Sequence, residues 1–495
     1  MQWYTKECKM EEASVRDAQD ESPKIETRLF LDGIWQQADS RFALLNKYDG
    51  TTIAEVSAAT PETVQRAVAG LAKAFAASPP EPVERAQILY RAAALLREEA
   101  EAFAATYRLE SGFTQSDSRA EVARCIETLT LSAEAARQFE RNETVPLSGA
   151  PGPAGRLAFV LRVPLGPVAA ITPFNAPLNT VAHKLAPAIA AGNPVLLKPS
   201  SSTPLCGAAL VDLLLRAGWP GEFIALLQGS AATAEAILAD PRIEYYAFTG
   251  STEVGRKVQA AAGLRRCQLE LGAISFTLLE PDADLSKALP AIRNAAFRKA
   301  GQVCTSVQIV LAQEAIVEAV AAGLTALTEA TPYGDPALPE TLTGPMISQG
   351  AAEAAKRRLD QAVAGGAKLL AGGGLERAVL APTLLRDAPA DSVLLREEMF
   401  APVMTLAGYG ALDEAFRRVN ATPYGLATGI FTQRIDNAFA AARSLRVGSL
   451  HINNTSSSRV DLMPYGGVKD SGFGKEGPAY AMREMSEERL ITFTP

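Results

Sequence analysis

The chain has little cysteine and almost no histidine. Its five cysteines (Cys8, Cys125, Cys206, Cys267 and Cys304) are scattered through 495 residues with no CxxC and no neighbouring histidine. That pattern supports neither a disulfide framework nor a zinc site, so no metal is expected. His183 and His451 are the only histidines. A Cys–His or Ser–His hydrolase would have to take its base from one of them, so the search for a general base turns to carboxylates. Basic excess is also missing. A net charge of −7 leaves no positive field for nucleic acid. No uninterrupted apolar run approaches the ~20 residues of a membrane span. Residues 1–27 are charged and lack the apolar segment of a signal peptide. A cytoplasmic protein without a membrane partner is the expectation. No GxGxxG follows a strand, and there is no internal repeat or low-complexity tract.

What is present is an α/β pattern. With 48% hydrophobic and 21% charged residues and a mean hydropathy near zero, the length predicts two large domains and a smaller element. Residues 1–27 read as a mobile extension. Residues 29–35 read as a strand broken by an Asp32-Gly33 turn, and Thr60-Pro61 opens a helix running to about Ala77. Helical patterns follow over roughly 81–110 and 117–140, the charges of the second reading as a solvated face. From 165 to 275 short apolar runs at 168–171, 194–197, 225–227 and 245–248 alternate with helical stretches, which predicts a parallel sheet covered on both faces. Helices are predicted again near 313–330, 348–364, 411–420 and 434–446, giving a second α/β domain. The extended segment 156–163, flanked by Gly and Pro, reads as an edge strand at a subunit interface or as a surface hairpin.

Within this frame, five stretches carry chemistry. Gly301-Gln302-Val303-Cys304-Thr305-Ser306 places Cys304 in a small-residue loop before a β-branched run, where a thiol is approachable by an electrophile; a buried structural Cys is the alternative. Leu269-Glu270-Leu271 sets a carboxylate at an apolar strand end, as a base with a raised pKa or as half of an ion pair. Thr172-Pro173-Phe174-Asn175-Ala176-Pro177 fixes Asn175 between prolines, as an oxyanion donor or as a helix cap. Lys198 ends a strand where open α/β sheets bind ligands, or is simply solvated. Phe248-Thr249-Gly250-Ser251 joins a strand to a helix N-terminus, which suits a pyrophosphate but is common in any α/β protein.

Together the motifs PFNAP, LLKPSSSTP, FTGSTEVG, LELGA, GQVCTS, EEMFAPV and MPYGGVKDSGFGKEG run in an order and spacing that resembles the aldehyde dehydrogenase superfamily from about residue 29 to the C-terminus. Glu270 precedes Cys304 by 34 residues, as the family's base precedes its nucleophile. The resemblance implies a Rossmann-like cofactor domain (28–143 and 165–273), a catalytic α/β domain (274–477) and a small β oligomerisation extension (144–164 and 478–495), assembled as a homodimer or homotetramer. It implies NAD or NADP as cofactor and a small aldehyde as substrate. Cys304 would be the nucleophile, Glu270 the base that activates hydrolytic water, and Asn175 with the Cys304 N–H the oxyanion hole. Lys198 would hold the adenosine ribose, Ser251 the pyrophosphate, and Glu398 and Phe400 the nicotinamide ribose, with Thr172, Phe174, Gly250 and Ser201 in the same cleft. Ser201 stands where many NAD-preferring members carry a Glu, which removes repulsion against a 2′-phosphate. Ala273, Ile274 and Phe276 replace the family's usual Gly, Lys or Asn, and Pro, and Ala401 replaces a Gly.

For the substrate, Arg298 lies where relatives that oxidise succinic semialdehyde carry an anion-binding arginine. Arg459 and His183 also face the substrate tunnel by resemblance. Two arginines suit a carboxylate, phosphonate or sulfonate tail, and arginines paired with acids are the alternative. The stretch RVDLMPYGGVKDSG looks most like members acting on lactaldehyde or phosphonoacetaldehyde, so a small anionic or hydroxylated aldehyde is expected. Three rivals remain: a CoA-acylating dehydrogenase, which generally lacks the Glu270 base; a catalytically silent homologue with a structural or binding role; and a thiol hydrolase.

Overall fold

Short apolar strands separated by helices build two parallel sheets, seen in a computed structural model that describes residues 22–139, 143–152 and 155–494. The first has eight strands in the order Ile34–Gln36, Leu29–Leu31, Ile224–Leu226, Val195–Lys198, Val168–Ile171, Tyr245–Thr249, Arg266–Glu270 and Gly472–Phe473. Its five central strands are parallel and its edges antiparallel. The strands Val168–Ile171 and Val195–Lys198 are buried throughout, as helices on both faces require. Chain order reverses between Val168–Ile171 and Tyr245–Thr249. That is the switch point at whose carboxyl ends such sheets bind ligands. The PFNAP and Gly250-Ser251 turns leave the sheet on either side of it.

The second sheet runs Lys368–Ala371, Thr383–Arg386, Val403–Tyr409, Val307–Gln313, Ser275–Leu279, Ala427–Phe431 and Ser449–Ile452. All its pairs are parallel except the one at the Lys368–Ala371 edge. Only residues 271–274 separate the end of Arg266–Glu270 from the start of Ser275–Leu279, so the two sheets meet at Glu270. In a third, three-stranded sheet, Ser486–Phe493 and Glu143–Thr144 flank Leu157–Pro164 in antiparallel register, leaving Leu157, Leu490 and Phe493 exposed. The helix Pro478–Glu484 before it joins the first core, burying Met482 and Met485.

Local signals act as the residues dictate at several elements. Thr60 Oγ1 accepts the Thr63 N–H at 3.3 Å to cap the helix Pro61–Ala76, and Asp32 (φ 55°) with Gly33 (φ 78°) turns the first hairpin. Three expectations need correction. The helix over 81–110 is two, Pro82–Glu98 and Ala100–Ser111, broken at Glu99 (φ −102°, ψ 19°). The Glu99 carboxylate pairs with Lys24 and Arg216, and the second helix turns Phe103 and Tyr107 into the core. Residues 22–27 are not a free extension, because the Lys24 N–H donates to Thr106 Oγ1 at 2.7 Å; residues 1–21, with Cys8, lie outside the described residues. The helix Gln115–Ala136 does not simply present its charges to solvent. Glu121 is buried, and both Glu121 and Arg124 form ion pairs with residues of distant segments. Residues 140–142 also lie outside the description.

Among the described residues no helix is long and apolar enough to cross a membrane, and no cluster of His, Cys, Asp and Glu is arranged to hold a metal ion.

Candidate active site

Cys304 is delivered by strained backbone. After the helix Leu285–Phe297 the chain passes through three left-handed residues, Lys299 (φ 53°), Ala300 (φ 52°) and Gly301 (φ 67°). Such conformations cost a non-glycine residue about 1–3 kcal/mol and persist only where packing over-determines them. Here it does. The Lys299 ammonium is buried between Glu121 Oε2 and the Asn175 carbonyl, both at 3.0 Å. Gln302 accepts the Ile347 N–H at 2.8 Å and donates to the Lys299 carbonyl at 3.2 Å. A Cβ on Gly301 would lie 2.1 Å from the Ala401 carbonyl oxygen, so no other residue fits there. Ser275 Oγ then holds the Cys304 carbonyl at 3.2 Å.

The loop opens into a cavity of about 750 Å³ between the two sheets, lined by residues that include Thr172, Phe174, Asn175, His183, Lys198, Ser201, Gly250, Ser251, Glu270, Arg298, Cys304, Glu398, Phe400 and Arg459. All fourteen residues singled out from the sequence therefore share one cavity. Cys304 Sγ lies 2.9 Å from Glu270 Oε1 and 3.0 Å from Tyr465 Oη, and neither histidine bonds to it. Burial raises the thiol pKa well above its ordinary value, and the Glu270 charge raises it further. Burial and then the Glu476 charge raise that of Glu270, with Arg459 opposing. The Cys304 S–H donates to Glu270 Oε1. Asn175 Nδ2 donates one hydrogen to the Gln302 carbonyl at 2.8 Å, leaving its second for the cavity. The Cys304 N–H has no acceptor among the described residues.

Away from the thiol, Lys198 and Glu270 end strands three places apart, about 14 Å at the usual spacing. Lys198 is 7% exposed, bonds only the Pro199 carbonyl, and has no carboxylate partner among the described residues; burial pushes its pKa down to about 8. Thr172 Oγ1 is buried without a hydrogen-bond partner. Two helices start at this part of the cavity, Ala231–Ala239 capped by Ser230 and Thr252–Ala262 capped by Ser251. Their N-termini favour an anion. Nearer Cys304, Glu398 accepts the Ala273 N–H at 3.0 Å, and burial raises its pKa to about 7. A Cβ on Gly272 would lie 2.8 Å from Glu398 Oε2. The segment is clamped by Gln308, whose amide donates to the Leu394 and Glu397 carbonyls and accepts the Met399 N–H. Phe400 meets Phe174 edge to face at 5.8 Å. An unpaired lysine, an orphan hydroxyl, two helix N-termini and a carboxyl group able to accept from ribose hydroxyls fit a dinucleotide.

On the substrate side the two arginines differ. Arg298 bonds Ser457 Oγ at 2.7 Å and has no carboxylate partner among the described residues. Arg459 arrives with its charge already paired: Nη2 lies 2.8 Å from Glu476 Oε2 and 3.1 Å from His183 Nε2. His183, 1% exposed, also meets Asp461 Oδ1 at 2.8 Å, and Asp461 is forked by Arg124. Lys184 closes the chain on Glu476 Oε1 at 3.1 Å.

Tyr465, Glu476, Asp461, Lys184 and Arg124 were not singled out from the sequence. One signal was present, a lysine in the apolar helix Asn179–Ala191, since lysine is seldom buried without a partner. Tyr465 and Glu476 come together because the 463–477 stretch doubles back. Tyr465 N–H bonds the Glu476 carbonyl at 3.1 Å and Glu476 N–H the Tyr465 carbonyl at 2.7 Å. Gly472–Phe473 then pairs with the Glu270 strand, and Gly472 (φ 98°) passes so close that a Cβ would lie 2.0 Å from the Leu269 carbonyl oxygen.

Comparison with known proteins shows the family. Residues 35–491 match the model of the aldehyde dehydrogenase family. The 3-sulfolactaldehyde dehydrogenase of Priestia aryabhattai is 43% identical over 464 residues, 94% of this chain and 97% of that one. The structure of aldehyde dehydrogenase 21 from Physcomitrella patens, in complex with the reaction product succinate, superposes with a TM-score of 0.92 at 35% identity, covering 95% of this chain and 98% of that one. Glyceraldehyde-3-phosphate dehydrogenase from Methanocaldococcus jannaschii, complexed with NADP, gives 0.88 at 34% identity, covering 92% and 100%. The match extends over almost the whole chain and over both sheets: the protein belongs to the aldehyde dehydrogenase family.

Proposed function

We propose that the protein oxidises a small anionic aldehyde to its carboxylic acid, using NAD or NADP. The observation that carries this reading is the 2.9 Å contact of Cys304 Sγ with Glu270 Oε1 at the wall of a cavity that also holds the Asn175 amide. Glu270 takes the thiol proton and the sulfur adds to the aldehyde carbon. The new oxyanion is received by the free hydrogen of Asn175 Nδ2 and by the Cys304 N–H, donors already in place. Lys198 and Ser201 would hold the adenosine ribose, the turns at Ser230 and Ser251 the pyrophosphate, and Glu398 the nicotinamide ribose. What the nicotinamide supplies when bound is the hydride acceptor that turns the thiohemiacetal into a Cys304 thioester. Once Glu270 has passed the thiol proton to solvent it removes a proton from water, which opens the thioester and frees the acid, and the released sulfur takes a proton back; its raised pKa suits it to that work. The assay is NAD(P)H formation at 340 nm over a panel of aldehydes, wild type beside Cys304→Ala. Activity lost in the variant supports the reading, and activity retained in it contradicts the reading.

The anionic tail follows from Arg298, a cavity-lining guanidinium without a carboxylate partner. The relatives named above act on, or hold as product, a sulfonate, a carboxylate and a phosphate. Arg298→Ala is expected to raise KM for an anionic aldehyde about tenfold to a hundredfold, the value of a charge-assisted contact, and to leave propanal unaffected. Equal losses on both substrates contradict the assignment.

Cofactor choice rests on Ser201. Among the described residues the lining carboxylates are Glu270 and Glu398 alone, so none of them beside Lys198 repels a 2′-phosphate. NADP is expected to be used with a kcat/KM within a hundredfold of that for NAD, and a larger preference for NAD would count against the reading. The third sheet, with its exposed Leu157, Leu490 and Phe493, is assigned to a dimer or tetramer contact, which light scattering on the purified chain tests.

A further inference from the structure

Two polar groups approach the Cys304 sulfur, Glu270 Oε1 at 2.9 Å and Tyr465 Oη at 3.0 Å. A carboxylate can only accept, so the thiol hydrogen goes to Glu270 and the second contact runs from the Tyr465 O–H to the sulfur. The phenol is held for this. Tyr465 is 4% exposed, its N–H and carbonyl are bridged to Glu476, and the Arg459 guanidinium lies 4.0 Å from its ring centroid. Arg459 is in turn fixed by Glu476 and His183. We propose that Tyr465 is a catalytic residue whose hydroxyl stabilises the Cys304 sulfur when it carries charge. The proposal rests on Cys304 being the nucleophile.

The need for such a donor follows from the surroundings. Burial and the Glu270 carboxylate both disfavour a thiolate. The charged groups facing the sulfur and its partners are Glu270, Glu476, Glu398, Arg459 and Lys184, with His183 and Asp461 behind Arg459. Neither Lys184 nor His183 bonds the sulfur. Burial, Cys304 and Glu270 keep the Tyr465 phenol protonated and therefore a donor. Sulfur carries charge twice in the cycle. Before attack, the S–H proton passes to Glu270 and the Tyr465 hydrogen bond supports the thiolate left behind. During hydrolysis, water adds to the thioester carbon, the C–S bond breaks, and its electron pair returns to a sulfur that Tyr465 again meets with a donor.

The test is the pH dependence of Cys304 alkylation by iodoacetamide in the enzyme without cofactor or aldehyde, with the modified peptide identified by mass. Tyr465→Phe keeps the ring under Arg459 and removes only the hydroxyl. Its inflection is expected to rise by about one to two pH units, the size of one hydrogen bond to a charged group. A profile superimposed on wild type overturns the proposal. A second protein with 3-fluorotyrosine at position 465 carries a more acidic phenol and a stronger donor. Its inflection is expected to fall, and an unchanged or raised value overturns the proposal, so the question is decided even if Tyr465→Phe does not fold. Alkylation needs no turnover. Failure of the functional reading appears instead as aldehyde oxidation by Cys304→Ala.

Discussion

Glu270→Gln is expected to lower kcat by about a hundredfold to ten-thousandfold, the usual contribution of a positioned general base, while Cys304 remains open to alkylation. The amide fills the same space against Cys304 but takes up no proton, so the hydrolytic water loses its acceptor, while the thiol, relieved of the Glu270 charge that raises its pKa, still ionises to solvent and is acylated. The pH profile carries a second signature. A base works only when deprotonated, and burial together with the Glu476 charge raises the pKa of Glu270. The wild-type rate should therefore climb as pH rises through that value, and this limb should vanish from the variant's kcat/KM profile. A variant that kept both the rate and the limb would remove Glu270 from the mechanism.

The second large effect is on stability. Glu476 is 1% exposed and receives both Lys184 and Arg459. Burial alone would raise its pKa, but the two cations outweigh burial and hold it far below the ordinary carboxylate range. Glu476→Gln leaves two buried cations uncompensated and is expected to destabilise the fold by about 3–5 kcal/mol, as broken buried pairs do. A folded pKa that is depressed adds stability above the unfolded value of about 4.3, and this is lost as pH falls below it. Urea unfolding of wild type should thus weaken steeply below that pH and the variant less so. Parallel curves would mean the carboxylate is not tied to its cations as described.

Much of the frame was legible because local rules decided it. The Asp32-Gly33 turn, the Thr60-Pro61 helix start and the apolar runs of the central strands each act over a few residues. Cys304, Glu270 and Asn175 could each be placed at a turn beside a strand, but local signals left a structural alternative open for every one of them, and their roles came only from the order and spacing of motifs that resemble the family. What could not be read depends on partners far apart in sequence. The kink at Glu99 carries no Gly or Pro, and the Glu99 carboxylate there pairs with Lys24 and Arg216. Glu121 and Arg124 follow a helical period that resembles a solvated face, but Lys299 and Asp461 lie against them. Arg459 read either as an anion anchor or as half of an ion pair, and its acid could not be named because Glu476, seventeen residues on, returns to it only through the doubling back at Gly472. Tyr465 is separated from Cys304 by 161 residues and contacts it by the same path.

The central claim is that substrate carbon becomes bonded to Cys304 and is released by Glu270. Intact-mass analysis of Glu270→Gln after incubation with an anionic aldehyde and NADP tests it most directly. The expected result is one added acyl mass per chain, mapped to the peptide that contains Cys304 and absent when Cys304→Ala is combined with it. An unmodified chain after NADPH has formed, or an adduct on Cys125, Cys206 or Cys267, would contradict the account.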